Sequence, residues 1–498
     1  MTFASVEFLF FLPVALLIHW LLPRRAAWQN AWLLFCGHVF YATWDHRLLV
    51  LLWATIGVDF AIGRALERNA ERPIARKRLL RASIVWNVGL LCVFKYAGFF
   101  VESARSALVA LGVLDTCPDS AAAHALDLVL PMGISYFTLQ KLSYVIDVHD
   151  RRLPACRSLP RFATWVMFFP HMVAGPITRA IGFLPQLEKP RTLLASDLSR
   201  AGLLFLIGFT EKACFADNLA MQLVNPVFAA PESYGPLAHW LAVGGYALQV
   251  FCDFAGYSLM ALGVARAFGL ELPVNFDRPF LSTSLSEFWR RWHITLNTWI
   301  FEYIYTPLVT GDGFFRGRLD LGFLVVFLIS GLWHGAAWGF VFWGALHGVG
   351  LIVARRYDEF YRGLCRKDRT WVARRRTTAY KLAAWALTTG FFILSLLPFR
   401  AGSAVAVATY ARGMLPGSAG PDAANLPSIG GFMWLAVIVG GLAFVTAEHL
   451  LGLPRFAGLV RRFQALPAPV RGLVYGAALI YLGVFVPQAP GIFIYGRF

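Results

Sequence analysis

Residues 321 to 354 read LGFLVVFLISGLWHGAAWGFVFWGALHGVGLIVA, without one Asp, Glu, Lys or Arg. About 20 apolar residues suffice to cross the ~30 Å hydrocarbon core of a bilayer as a helix. Apolar runs of this kind recur from one end of the chain to the other, with 58% of its 498 residues hydrophobic and 15% charged. The mean hydropathy is +0.59. A soluble domain carries roughly a quarter charged residues, so these values exclude one. They indicate an all-α polytopic membrane protein. No soluble stretch is long enough to fold alone, and a single transmembrane domain over 1 to 498 is expected. The first run, from Phe8 to Leu22, has no basic residue before it and has Arg24 and Arg25 after it. That is the reverse of a secretory signal, so it reads as a retained span. The scattered cysteines form no C-x-x-C and support neither a disulfide framework nor a zinc site.

The formal net charge of +17 is concentrated, with seven Lys/Arg over 64 to 81 and ten over 355 to 381. Cytoplasmic loops of membrane proteins are rich in Lys and Arg, which accounts for both clusters without a nucleic-acid partner. Placing the basic loops inside gives a consistent alternation. Arg24 and Arg25, the 64 to 81 loop and HDRRLPACRSLPR (149 to 161) lie inside. The segment 102 to 124, with Glu102, Asp115 and Asp119, lies outside, as does the N-terminus.

The stretch FATWVMFFPHMVAGPITR (162 to 179) is apolar but broken by Pro170, Gly175 and Pro176. Both a re-entrant segment and a kinked span fit it, because irregular backbone at membrane depth is tolerated where protein or a wet cavity covers it. Further spans are expected over 201 to 224, 238 to 270, 321 to 354, 382 to 398, 431 to 452 and 472 to 488. The total is 11 to 13 membrane segments.

Chemistry concentrates in two places. In STSLSEFWRRWHITLNTWIFEYIYTP (282 to 307), Ser284 and Glu287 have capping-box spacing, which predicts a helix start near Leu285. Phe288, Trp292, Leu296, Trp299 and Tyr303 recur at helical spacing, and Arg290, His293 and Asn297 form a second stripe. An interfacial anchor and a cavity-lining helix both fit this pattern. The second place is His334, about fourteen residues into the apolar run that starts at Leu321. Polar groups so deep are costly and face a cavity or a partner. Gly331 and Gly335 also match a helix-packing G-x-x-x-G, with His334 as a hydrogen-bonded neighbour. His347, near the basic end, carries less weight. An imidazole can take a proton from a hydroxyl and return it to a leaving group. The sequence has no G-x-S-x-G, H-E-x-x-H, Walker A or metal-ligand spacing. Transfer of an already activated acyl group to a hydroxyl therefore fits, and so does a carrier or flippase for a glycan or lipid precursor.

The motifs SEFWRRWHITLNTW (286 to 299) and SGLWHGAAWGFVFWGALHG (330 to 348) resemble the membrane-bound O-acyltransferase (MBOAT) family, and most closely its alginate O-acetyltransferase branch. LPMGISYFTLQKLSYVIDV (130 to 148), FFPHMVAGPITR (168 to 179), YALQVFCDFAGYSLMALGVARAFGLELPVNFDRPF (246 to 280) and the terminal FIYGRF (493 to 498) match in order. The motif-bearing region is thus about 130 to 350. The family often continues after YIYTPL with Gly-Gly-Asn-Arg, whereas this chain has VTGDGFFRGRLD (309 to 320).

The resemblance implies a ring of helices with re-entrant pieces around a central funnel, in the bacterial inner membrane. It implies that His334 is the catalytic histidine and His293 the second motif histidine, with no metal. The donor it implies is acetyl-coenzyme A from the cytoplasm. The acceptor is an exopolysaccharide such as alginate or cellulose, reached through a periplasmic acetyltransferase or a polysaccharide synthase complex. Arg290, Arg291, Arg316 and Arg318 fall on the side where the donor would dock. Arginine suits phosphate through charge and forked hydrogen bonds, and positive-inside topology explains the same four residues equally well. Asp253 and Asn275 read as scaffold or gate.

Overall fold

Long apolar runs can satisfy their backbone only internally in lipid, and helices do so. Every regular element among the described residues of the computed structural model is helical, with no strand. The structure describes residues 1–114, 130–192, 194–418, 458 and 461–485. Five helices are long and apolar enough to cross a membrane, and Val6–Leu21 and Leu319–His334 are shorter apolar helices. The span expected over 431 to 452 and the FIYGRF motif lie outside the described residues. The chain divides into two compact units.

The first unit comprises Met1, Phe10–Leu193 and Phe268–Leu272. It takes in most of α1 (Val6–Leu21), then α2 (Ala26–Asp45), α3 (Leu48–Arg68), α4 (Pro73–Ala110), α5 (Ile134–His149) and α6 (Leu159–Val166). The basic segment 64 to 81, expected as a loop, is mostly helical. Proline at the first position of a helix costs no hydrogen bond, and α4 starts at Pro73 and runs on through Arg76, Lys77, Arg78 and Arg81. Arg76 is buried. Its guanidinium donates to the carbonyls of Leu66 (2.7 Å), Val148 (3.0 Å) and His149, satisfying helix ends that have no intrahelical partner. Within the apolar interior, Asp59 on α3 accepts from Ser83 (2.6 Å) and Asn87 (3.0 Å) on α4 and pairs with Lys141 on α5 at 3.3 Å.

The segment 162 to 179 is not a kinked span. α6 has eight residues and the next helix, Phe169–Met172, has four. At ~1.5 Å per residue neither can cross ~30 Å, which leaves the re-entrant reading. Trp165, Phe168, Phe169 and His171 are fully buried. Trp165 Nε1 (3.1 Å) and Gln140 Nε2 (3.0 Å) donate to Thr178 Oγ1, and His171 Nε2 bonds the Trp165 carbonyl at 2.8 Å. The irregular backbone is therefore covered by protein.

The second unit comprises Thr2–Leu9, Leu194–Ala267 and Pro273–Phe498. Its described helices include α7 (Ala195–Phe209), which runs on into the wider turns of Thr210–Ala216, and α8 (Pro236–Ala267). Then come α9 (Leu285–Arg291), α10 (Ile294–Ile300), α11 (Leu319–His334), α12 (Trp338–Lys367), α13 (Thr370–Arg376), α14 (Thr378–Ala401), α15 (Ala404–Gly413) and α16 (Ala468–Phe485). α8 packs along α7, and α11 and α12 form a tight hairpin.

Candidate active site

The helix starts at Leu285 with Ser284 as its cap, and only the return arm of the capping box is displaced by one residue. Ser284 Oγ accepts the Glu287 N–H at 3.2 Å, and Glu287 Oε2 accepts the Thr283 N–H at 2.9 Å. α9 buries Leu285, Phe288 and Trp289. The helical stripe of the sequence then predicts one continuous helix, and the structure breaks it. Trp292 is extended, and His293 takes φ 44°, ψ 53°. That left-handed conformation is uncommon outside glycine, though His, Asn and Asp tolerate it best.

Non-local hydrogen bonds hold the break. Asn275, in the irregular PVNFDRP segment, accepts the Ile294 N–H on its carbonyl at 2.9 Å. Its side chain accepts from Thr295 Oγ1 at 2.6 Å and donates to Ser258 Oγ of α8 at 3.2 Å. The Asn297 amide donates back to the carbonyls of Trp289 (2.9 Å) and Trp292. Asn297 thus belongs to the turn rather than to a solvent-facing polar stripe.

The second histidine also sits at a helix end. α11 stops at His334, and Gly335 and Ala337 are extended before α12 begins at Trp338. The hairpin closes on glycines. A Cβ on Gly331 would lie 2.2 Å from the Phe340 carbonyl oxygen, and one on Gly344 would lie 2.3 Å from that of Phe327. The glycines thus serve helix packing and the histidine turn together. At the other end of α11, Asp320 pairs with Arg355 of α12 at 2.7 Å and with Arg356. A helix rise of ~1.5 Å per residue carries His334 about 20 Å away from that charged end. Gly331→Ala should lower the melting temperature and the activity together. Gly363→Ala on α12, where an added Cβ meets nothing within 4 Å, should leave both unchanged. Thermal melting of the two detergent-solubilised variants checks this.

The structure brings the two motif histidines to one ring. The His293 imidazole lies 5.8 Å, centroid to centroid, from the Trp333 indole, and the His334 imidazole lies 5.0 Å from the same indole. Their separation cannot exceed the sum of those two distances. Phe254 of α8 packs edge-on against His293 at 4.6 Å. Trp343 and Phe399 flank His334 at 5.1 and 5.4 Å. His293 is 1% exposed and His334 5%. Neither ring nitrogen of His293 has a hydrogen-bond partner among the described residues. A neutral imidazole offers one donor and one acceptor, so this ring can serve both a hydroxyl and a carbonyl.

His347 does a different job. It is fully buried among Trp289 (4.9 Å), Trp343 (4.7 Å) and Phe391 (5.2 Å), with Nε2 2.9 Å from Ser395 Oγ. Ser395 Oγ donates its own proton to the Phe392 carbonyl at 2.7 Å, so His347 Nε2 carries a hydrogen and donates. The ring is held as packing.

The arginines lie differently. Arg290 is exposed at the end of α9. Arg291 pairs with Glu287 at 2.7 Å and donates to the Arg278 carbonyl at 3.4 Å. Arg316 pairs with Asp312 at 3.0 Å on the exposed turn before α11, and Arg318 covers the Phe314 ring at 3.9 Å. The partners of Arg291, Arg316 and Arg318 are thus carboxylates, a carbonyl and a ring rather than either imidazole.

Sequence reasoning named Asp253 as scaffold or gate but missed the charged node it belongs to in the same unit. Lys212 Nζ sits 2.7 Å from Asp217 Oδ1 and 2.7 Å from Asp253 Oδ1. Ionisable residues inside the apolar run 201 to 224 were the available signal. Asp253 precedes Phe254, the ring that backs His293. No cluster of three or more His, Cys, Asp or Glu side chains among the described residues could hold a metal.

Two buried imidazoles at helix ends thus flank one indole. The comparisons with known proteins bear on the family. The membrane-bound O-acyltransferase family profile matches residues 151–397. A probable alginate O-acetylase, AlgI, of Azotobacter vinelandii is 37% identical over 357 residues, covering 71% of this chain and 69% of that protein. A peptidoglycan O-acetyltransferase of Helicobacter pylori is 32% identical over 435 residues, 81% of this chain and 78% of the relative. A teichoic acid D-alanyltransferase of Bacillus subtilis is 28% identical over 292 residues, 55% of this chain and 70% of the relative. This chain belongs to the membrane-bound O-acyltransferase family and is an acyltransferase.

Proposed function

We propose that this protein moves an acetyl group from cytoplasmic acetyl-coenzyme A to a hydroxyl for O-acetylation of an exopolysaccharide, alginate or cellulose being the nearest candidates. The observation that carries the reading is the convergence of His293 and His334 on the Trp333 indole. His334 acts as general base. It takes the hydroxyl proton as the oxygen attacks the thioester carbon. The carbon–sulfur bond breaks, and the imidazolium returns the proton to the departing thiolate. His293 orients the hydroxyl or the thioester carbonyl. Arg290, Arg291 and Arg316 meet the phosphates of coenzyme A from the basic side. The protein sits in the bacterial inner membrane with its N-terminus outside. A periplasmic acetyltransferase or a polysaccharide synthase complex carries the acetyl group onward. The relatives named for alginate and peptidoglycan O-acetylation support a polymer acceptor.

The test is direct. Purified protein is given acetyl-coenzyme A carrying a labelled acetyl group, with and without an oligosaccharide acceptor, and released thiol is followed. Thiol release with the label on an oxygen ester is expected. A carrier without chemistry would leave the thioester intact and overturn the reading.

A further inference from the structure

We propose that Asn275 is a positioning residue of the acyl-transfer site, acting through His293; the proposal rests on the acyltransferase reading above. Asn275 itself reaches neither imidazole in its described hydrogen bonds. It grips the two residues that follow His293: the Ile294 N–H on its carbonyl at 2.9 Å and the Thr295 hydroxyl on Oδ1 at 2.6 Å. Its Nδ2 anchors the grip to Ser258 of α8 at 3.2 Å. α8 also carries Phe254, the ring packed edge-on against His293 at 4.6 Å. One buried side chain, 2% exposed, thus ties the start of α10 to the helix that forms the wall behind the imidazole.

The backbone gives this tie a task. His293 holds φ 44°, ψ 53° between two short helices. No glycine or proline breaks the helix there, since WRRWHITLN contains neither. A non-glycine residue in the left-handed region persists only where its surroundings over-determine it, and such sites cluster where function needs a side chain aimed. Without the Asn275 side chain the turn keeps the Ile294 N–H bond to the backbone carbonyl but loses the bonds to Thr295 and Ser258, so α9 and α10 can relax toward the single continuous helix that their periodicity favours. Rotation of one residue by about 100° would carry the imidazole away from Trp333. Asn297 secures the end of α9 from the other side, and Asn275 adds a hydrogen-bonded tie to α8 beside the ring contacts of Phe254 with His293 and Phe251 with Trp292. A side chain of this kind changes how well an imidazole is aimed rather than how tightly the donor binds.

The experiment is a double-mutant cycle on thioester turnover by the purified, full-length protein. It compares wild type, Asn275→Ala, His293→Ala and the pair, with Asn275→Asp as a near-isosteric variant that keeps the Thr295 bond and replaces the amide donor facing Ser258 by a carboxylate acceptor. Displacing a catalytic group by ~1 Å costs about 10²-fold, so Asn275→Ala should lower kcat by roughly 10- to 100-fold, with KM for acetyl-coenzyme A within about twofold. In the His293→Ala background the same change should cost little more, because residues acting as one unit are not additive. Asn275→Asp should fall between, which keeps the proposal open to test if the alanine variant folds poorly. Equal losses in both backgrounds, or a shift in KM alone, would overturn it. A second measurement does not depend on turnover. In protein labelled with ¹⁵N-histidine, the His293 ring signals, assigned by their loss in His293→Ala, should move in Asn275→Ala. Unmoved signals would also overturn the proposal. Absence of thioester turnover in wild type would instead overturn the acyltransferase reading and leave the ring signals to decide the role of Asn275.

Discussion

Replacing His334 by alanine is expected to cut acyl transfer by about 10²- to 10⁴-fold, the range that a positioned general base contributes. The expectation comes from location as much as chemistry. His334 is the last residue of α11, held where the helix stops and the chain turns extended. Its ring is held by Trp333, Trp343 and Phe399. The backbone of the turn rests on Gly331 and Gly344 rather than on the imidazole, so the variant should fold. Initial rates of thiol release, read beside the melting temperature, check this. A well-folded variant that keeps more than a tenth of wild-type turnover would remove His334 from the chemistry.

The second large effect is on stability. Lys212→Met should lower the melting temperature by several degrees and reduce the yield of folded protein. The side chain of Lys212 is 7% exposed and those of Asp217 and Asp253 are 3% exposed each. Removing the ammonium leaves two carboxylates buried and uncompensated, a change that typically costs about 3–5 kcal/mol. Neutralising the whole node is far cheaper than breaking it. The triple variant Lys212→Met, Asp217→Asn, Asp253→Asn should therefore recover most of the lost stability. Melting curves in one detergent order the three proteins. If Lys212→Met melts with the wild type, the node is not a structural ion cluster.

His334 stood out because an imidazole in a long apolar run is chemically conspicuous, whereas His293 lay in an amphipathic stretch and was marked by the family motif. The re-entrant segment was half legible, since Pro170, Gly175 and Pro176 interrupt a span but do not say whether it kinks or turns back. Its short helices and buried hydrogen bonds decide that. The break at His293 was not legible. The periodicity of Phe288, Trp292, Leu296 and Trp299 continues straight through it, and what bends the chain is an asparagine from a distant segment together with Asn297. Local pattern yields to tertiary hydrogen bonding there, as at many functional sites. Lys212 and Asp217 were visible as charges in an apolar run, but their partner Asp253 lies on another helix. The start of α4 at Pro73 was hidden because the basic residues that mark a cytoplasmic loop are also good helix formers.

The α11–α12 hairpin has a mechanical consequence. Where Gly331 faces the Phe340 carbonyl and Gly344 faces that of Phe327, two backbones touch with no cushion of side chains between them. Such a contact resists sliding and rolling, because a small displacement drives an oxygen into a main chain that has nowhere to retreat. The pair behaves as one stiff lever. Any breathing of this unit must come from segments other than this hairpin, which carries His334 at the end of α11 as one stiff piece.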